Sequence, residues 1–249
     1  MASNMLLNSK LIFPIKEIAK KEFSTFFYTK LAWIILVTLA IVNGLFGFWI
    51  IEKSATSNKA IQLVFYVFSS MFMISAALLS MKLFSEEKLL GTFELLITSP
   101  ITEWQMVIGK FLGALAFLFI VFAVSMPVPM IILFFGDAHL GHFVSGYLGV
   151  LLLSSSCMAI TTFYSTLTNS QLVAAILGGA NIIIFLLLGF FSPYVSPPLK
   201  LIMRELSLYI HYMDFEKGVI VLKHVLFFIS IIVLYLSLAV ISLNYRKWK

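Results

Sequence analysis

The chain has 249 residues, 61% of them hydrophobic and only 11% charged, with a mean hydropathy of +1.05 and a formal charge of +6. That composition excludes a water-soluble globular domain of this length and points to a protein built of membrane-spanning helices. The positive charge sits at the ends of apolar stretches, where it reads as orientation and lipid contact, and it argues against nucleic acid as a partner.

Met1 to Asn8 lack the charged start and small-residue cleavage site of a secretory signal, so the N-terminus is expected to be retained. Segment 11–29 is predicted to be an interfacial helix on the cytoplasmic leaflet, starting near Pro14. Ile15, Ile18, Ala19, Phe23, Phe26 and Phe27 recur at helical spacing, while Lys16, Glu17, Lys20, Lys21 and Ser24 fall elsewhere on the wheel. Lys16, Lys20, Lys21 and Phe23 mark this helix as a candidate contact with membrane lipid.

A spanning helix needs roughly 20 apolar residues. Charge-free intervals predict six, at 31–51, 61–83, 107–135, 143–166, 171–191 and 222–243. The fourth and fifth are separated by the polar run Leu167-Thr168-Asn169-Ser170-Gln171, which reads as a tight turn. The fold class is therefore an all-α integral membrane protein, a single domain over 1–249. An even number of spans puts both termini on one side. Eleven of the 17 Lys and Arg residues lie on that side and six on the other, so both termini are expected in the cytoplasm. The one cysteine, Cys157, lies inside the fourth span, where it excludes an intrachain disulfide and reads as a packing residue.

No predicted span carries Asp, Glu, Lys, Arg or His well inside it, and an ion-coupled carrier normally needs such a group at membrane depth. Asn43, Asn181 and Ser154-Ser155-Ser156 are expected to bond between helices or back to their own backbone. Gly109, Gly113 and the pair Gly178-Gly179 read as sites of close helix packing. Energy for transport must then enter from outside the membrane, most naturally from a docked ATPase.

The loop after the second span, 84–106, has the form such docking needs. It offers a charged helix end at Glu87-Lys88, a glycine at 91, a short amphipathic helix bearing Phe93, Leu95, Leu96 and Ile97, and a stop at Pro100. Trp104 stands where a phosphate-binding loop ending in Gly109-Lys110 would need glycine, so no nucleotide site is read here. Lys110 reads instead as the edge of the third span. His139 and His142 lie beside Asp137 in a short turn without further ligands nearby, and no metal site is expected; His211 and His224 are too far apart to form a motif. Segment 192–221 follows the breakers Ser192-Pro193 and Ser196-Pro197-Pro198. It is amphipathic, too polar to span, and predicted to lie at the outer interface or dip against the other helices.

Glu87, Gly91, Thr92, Glu94 and Pro100 resemble the ABC-2 type permease pattern that follows the second span, with Lys88 where arginine is usual. Ser207-Leu208, His211, Tyr212, Phe215, Lys217, Gly218 and Val219-Ile220 are similar to a second pattern, found in the branch with the gliding-motility and nitrous-oxide-reductase maturation permeases. Lys217 keeps the cation there but not bidentate pairing. The resemblance implies a permease subunit of an ATP-driven ABC transporter in a bacterial cytoplasmic (inner) membrane, an exporter or a mechanotransmitter. It implies that Glu87, Lys88, Gly91, Thr92, Glu94 and Pro100 couple to a separate ABC ATPase dimer, which carries the ATP and Mg while this chain binds no cofactor. A second permease copy is implied, identical or related, and an extracytoplasmic accessory protein is compatible with the external motif of His211, Phe215, Lys217 and Gly218. The alternative is a non-transporting scaffold anchoring a multi-protein assembly.

Overall fold

The computed structural model describes the backbone of residues 2–247 apart from 55, 95–99 and 137, and the side chains of residues 13–245 within that set. Regular structure among the described residues is helical throughout: α1 (Ala2–Tyr28), α2 (Lys30–Lys53), α3 (Ser57–Ser80), α4 (Lys82–Leu89), α5 (Glu103–Ser125), α6 (Pro127–Phe135), α7 (Leu140–Leu167), α8 (Gln171–Phe191), α9 (Leu199–Leu206), α10 (Leu208–Glu216) and α11 (Leu222–Lys247). Six of these stretches are long and apolar enough to cross a membrane: α2, α3 running on into α4, α5, α7, α8 and α11. The chain is an all-α, multi-pass membrane protein, as its apolar intervals predict. Leu95, Leu96 and Ile97 of the predicted loop helix, Asp137, and the side chains of the basic tail Arg246, Lys247 and Lys249 lie outside the described residues.

Three boundaries differ from the sequence reading. α1 runs through Pro14 and begins at Ala2. Residues 2–12 contain no glycine or further proline to stop a helix, so the chain accepts the one hydrogen bond that Pro14 removes. The predicted third span is two helices, because Pro127 supplies no amide and its ring blocks the preceding turn. α5 accordingly ends at Ser125, the Met126 amide bonds Ala123 O at 3.3 Å, and α6 restarts with Pro127. The second span runs on to Leu89: Met81 stays helical between α3 and α4, and its amide bonds Ala77 O at 3.0 Å.

α7 is the most buried of the spans and packs on α3, α8, α10 and α11. Its glycines admit aromatic rings. A Cβ at Gly146 would lie 2.4 Å from the Phe65 ring of α3, and one at Gly149 would lie 2.4 Å from Phe215 Cβ of α10. Ser145 Oγ donates to Phe215 O at 2.7 Å and Tyr212 Oη donates to Phe65 O at 2.8 Å, so α10 is pinned among the spans. The 192–221 segment thus divides: α9 buries none of its residues, whereas α10 buries Leu208, His211, Tyr212 and Phe215.

The polar residues inside the spans mostly behave as expected. Asn181 Nδ2 donates to Tyr164 Oη at 3.0 Å and Asn181 Oδ1 accepts from Tyr235 Oη at 2.8 Å, tying α8 to α7 and α11. Ser154, Ser155 and Ser156 donate to carbonyls one turn back, and Ser156 also reaches Phe228 O at 3.3 Å. Cys157 is fully buried. Asn43 departs from the pattern, since its amide is buried and neither atom has a partner among the described residues.

The packing argument makes a paired prediction. Gly149→Ala forces the α7–α10 contact apart and costs about 1–3 kcal/mol, as overpacking does. Gly179→Ala, where a Cβ meets nothing within 4 Å, is neutral or stabilises by up to about 1 kcal/mol. Thermal unfolding of the detergent-purified chain reads both; equal midpoints for the two variants would contradict the packing.

Candidate functional site

α1, α4, the start of α5 and the end of α7 meet at one end of the bundle, which we call the terminal end. There a buried cation holds three helices together. Lys110, two turns into α5, is 2% exposed, and its Nζ lies 2.8 Å from Glu87 Oε1 of α4 and 3.4 Å from Glu22 Oε2 of α1. It also donates to Leu83 O at 2.6 Å and sits 5.2 Å from the centre of the Phe84 ring. Gly109 and Gly113 make this geometry reachable. A Cβ at Gly109 would strike Ile18 at 2.8 Å and one at Gly113 would strike Ala19 O at 2.6 Å, so the backbones of α1 and α5 touch on either side of Lys110. Residues 18, 22 and 26 of α1 meet residues 109, 113 and 117 of α5 in order, with Phe26 stacked on Phe117 at 5.0 Å. This stretch of α1 therefore shares the direction of the span, with Lys16, Lys20 and Lys21 exposed and Phe23 half-buried against α5.

A second buried cation, Lys82, donates to Thr29 Oγ1 at 2.8 Å and lies 4.2 Å above the Phe26 ring. It fixes the junction of α1 and α2 to the start of α4. α7 holds α4 from the other side: Ser165 Oγ accepts from the amides of Phe84 and Ser85, both at 3.0 Å, and Lys88 Nζ donates to Thr166 O in the last turn of α7, where a cation also suits the helix dipole.

Past this stem, α4 ends in a cap that explains the glycine. The Thr92 amide bonds Glu87 O at 3.0 Å and the Gly91 amide bonds Lys88 O at 3.3 Å, the paired bonds of a Schellman motif, and Gly91 has φ +71. Phe93, expected on an apolar knob, turns inward to 7% exposure with Lys88 Nζ 5.3 Å from its ring. Among the described residues Leu89 and Leu90 at the tip of α4 are each 67% exposed, Thr92, Glu94 and Pro100 are exposed as well, and Trp104 is 49% exposed. Thr102 and Gln105 then restart the chain as α5 with a reciprocal capping box.

At the far end the second set of predicted residues also comes together. The Val219 amide bonds Asp214 O at 2.9 Å and the Gly218 amide bonds Phe215 O at 3.1 Å, a second Schellman cap with Gly218 at φ +88. The turn brings α11 back against α10, and this corrects the reading of His211 and His224 as too far apart. Their Nδ1 atoms lie 2.6 Å apart, His211 Nε2 lies 3.0 Å from Glu205 O, and His224 Nε2 lies 2.8 Å from Asp214 Oδ2. Facing a carbonyl, His211 Nε2 must carry hydrogen. Burial pushes the His211 imidazole below its usual range, so its Nδ1 accepts from His224 Nδ1, while His224 Nε2 faces the Asp214 carboxylate. Lys217 is exposed, with Nζ 3.9 Å from Asp214. Among the described residues no three His, Cys, Asp or Glu side chains converge on a metal position.

Glu22, Lys82, Lys110 and Ser165 are site residues whose roles sequence reasoning missed. The signal was present for one of them: Glu22 falls four residues after Ile18 and four before Phe26, a carboxylate on the apolar stripe of α1 that burial would force to find a cation.

The profile of the ABC-2 family transporter proteins matches residues 17–238. The chain belongs to that family. No curated protein matches it. As an ABC-2 permease it is a membrane transport subunit, of a kind that works with a separate ABC ATPase and is not itself the ATPase.

Two predictions follow the permease's charges. Lys110→Met strands two carboxylates and costs about 3–5 kcal/mol, and adding Glu22→Gln and Glu87→Gln recovers most of it; thermal unfolding in detergent that leaves the single variant at the wild-type midpoint would contradict a buried pair. Burial pushes the Glu216 carboxyl up to about 7, with Lys217 opposing. A raised carboxyl stabilises the fold below its ordinary range and loses that contribution as pH rises through about 7. Glu216→Gln should therefore match wild type at pH ~4 and unfold at a higher temperature than wild type at pH ~8.

Proposed function

We propose that an ABC ATPase docks on the tip of α4 and that α4 passes its movement to α1, α5 and α7 together. The observation that carries this is the contrast within one short helix. Its stem is locked by Lys110 to Glu22 and by Ser165 and Thr166 to α7, while Leu89 and Leu90 stand out at 67% exposure on a rigid cap. An exposed apolar tip on a charge-locked stem is a handle that a soluble subunit can grip and move.

In this reading Glu94, Thr92 and Pro100 border the tip and face the ATPase, whereas Glu87 and Lys88 act within the chain by holding the stem. The terminal end lies in the cytoplasm, as the Lys and Arg distribution favours. Two permease copies face each other over an ATPase dimer that carries the ATP and Mg. Closure of that dimer draws the two α4 tips together and tilts the attached spans, either to export a substrate or to move an accessory protein on the far side. The Ser207–Ile220 pattern supports a place in the branch with the gliding-motility and maturation permeases, and that branch membership is part of the proposal.

The test is a mild-detergent pull-down from native membranes, comparing wild type with Leu90→Asp and Glu94→Arg and assaying ATP hydrolysis. An ATPase retained by wild type and reduced about tenfold or more by Leu90→Asp, a loss of at least ~1.4 kcal/mol, is the expected result. Absence of any ATPase from the wild-type complex would overturn the docking reading in favour of a non-transporting scaffold.

A further inference from the structure

We infer that the far end of the bundle holds one anionic phospholipid, its phosphate in a cationic cavity and an acyl chain in the apolar groove beside it. The cavity, ≈ 560 Å³, lies between the end of α8, α9, α10 and the start of α11. Four cations line it, Lys200, Arg204, Lys217 and Lys223, against two carboxylates, Glu205 and Asp214, a formal excess of two. Both carboxylates are already engaged. Glu205 Oε1 lies 2.7 Å from Lys223 Nζ, and Asp214 holds His224 at 2.8 Å and Lys217 at 3.9 Å. Lys200 and Arg204, both on α9, have no ion-pair partner among the described residues. The unspent charge is therefore carried by one helix that lines the cavity.

The depth of that helix selects the ligand. α9 exposes Leu199, Ile202 and Leu206 at 42–54%, an apolar side that a bilayer surface covers, which sets Lys200 and Arg204 at headgroup level. The cavity does not end at its charges. Phe190 and Tyr209 also line a second space of ≈ 330 Å³, whose remaining wall includes Met73, Leu153, Leu186 and Leu187. Charge at headgroup level that shares two aromatic rings with an apolar groove along α3 and α8 is complementary to an amphiphile. A free anion would leave the groove unfilled, and an acidic protein segment would not enter it. Arg204 can fork onto two phosphate oxygens while Lys200 adds a point charge.

The inference does not depend on the ATPase reading; orientation decides only that the leaflet concerned is the outer one. The test uses the delipidated full-length permease in detergent. It is titrated separately with phosphatidylglycerol, with phosphatidylcholine of the same chains, and with inorganic phosphate, reading bound lipid by native mass spectrometry and the thermal midpoint. One phosphatidylglycerol per chain should bind and raise the midpoint, with phosphatidylcholine weaker and inorganic phosphate without effect. Lys200→Ala with Arg204→Ala should weaken phosphatidylglycerol about 30-fold, roughly fivefold per cation, and Lys200→Gln alone about fivefold. Leu187→Trp, filling the groove at a residue 43% exposed, should weaken it as well, and Lys59→Ala should not. Equal binding of phosphatidylcholine, full protection by inorganic phosphate, or undiminished affinity in folded Lys200→Gln would overturn the inference.

Discussion

The burial of Lys110 is the constraint on which the terminal end of this permease depends. A lysine at 2% exposure cannot remain charged without partners, and the two it has belong to different helices, Glu22 on α1 and Glu87 on α4. Satisfying it therefore fixes α1 beside α5, which in turn requires glycine at 109 and 113, and it ties the start of α5 to α4. The same pair turns Glu87 inward and leaves the helix tip, rather than its charged flank, as the exposed surface.

α7 carries the arrangement through the bundle. Ser145 and Gly149 near its start hold α10, and Ser165 and Thr166 near its end hold α4. About 20 residues of one helix, roughly 30 Å, separate the two attachments. Both attached segments end in the same cap, on the positive-φ glycines 91 and 218, so the two sequence patterns that resemble the family mark structurally equivalent features at opposite ends. A shift of α4 that tilts α7 has a direct route to α10 and to the cavity above it.

The spans were legible because a hydrocarbon core leaves a continuous record in the sequence: charges stop where lipid begins, and the polar turn at 167–171 is short enough to stand out. The interior was less so. Pro127 announced a break that a run of apolar residues concealed. Gly109 and Gly113 could be read as packing residues, but what packs there is set by α1, more than 80 residues earlier. Lys110 resembled any lysine at a membrane edge, because periodicity reports which face is apolar and not which charge will be enclosed by another helix. The His211–His224 contact depends on a glycine turn whose φ no spacing rule supplies. Phe93 misled for a related reason: an apolar residue in a loop can fold back under a lysine as readily as face a partner.

Hydrogen exchange of the detergent-solubilised permease, wild type against Lys110→Met, tests the central claim most directly. If Lys110 joins α1 and α4 into one unit, amides 18–26 and 82–89 are protected in wild type and lose protection together in the variant, while the helices tied by Asn181 keep theirs. Loss of protection in α4 alone, or in neither segment, would contradict the account.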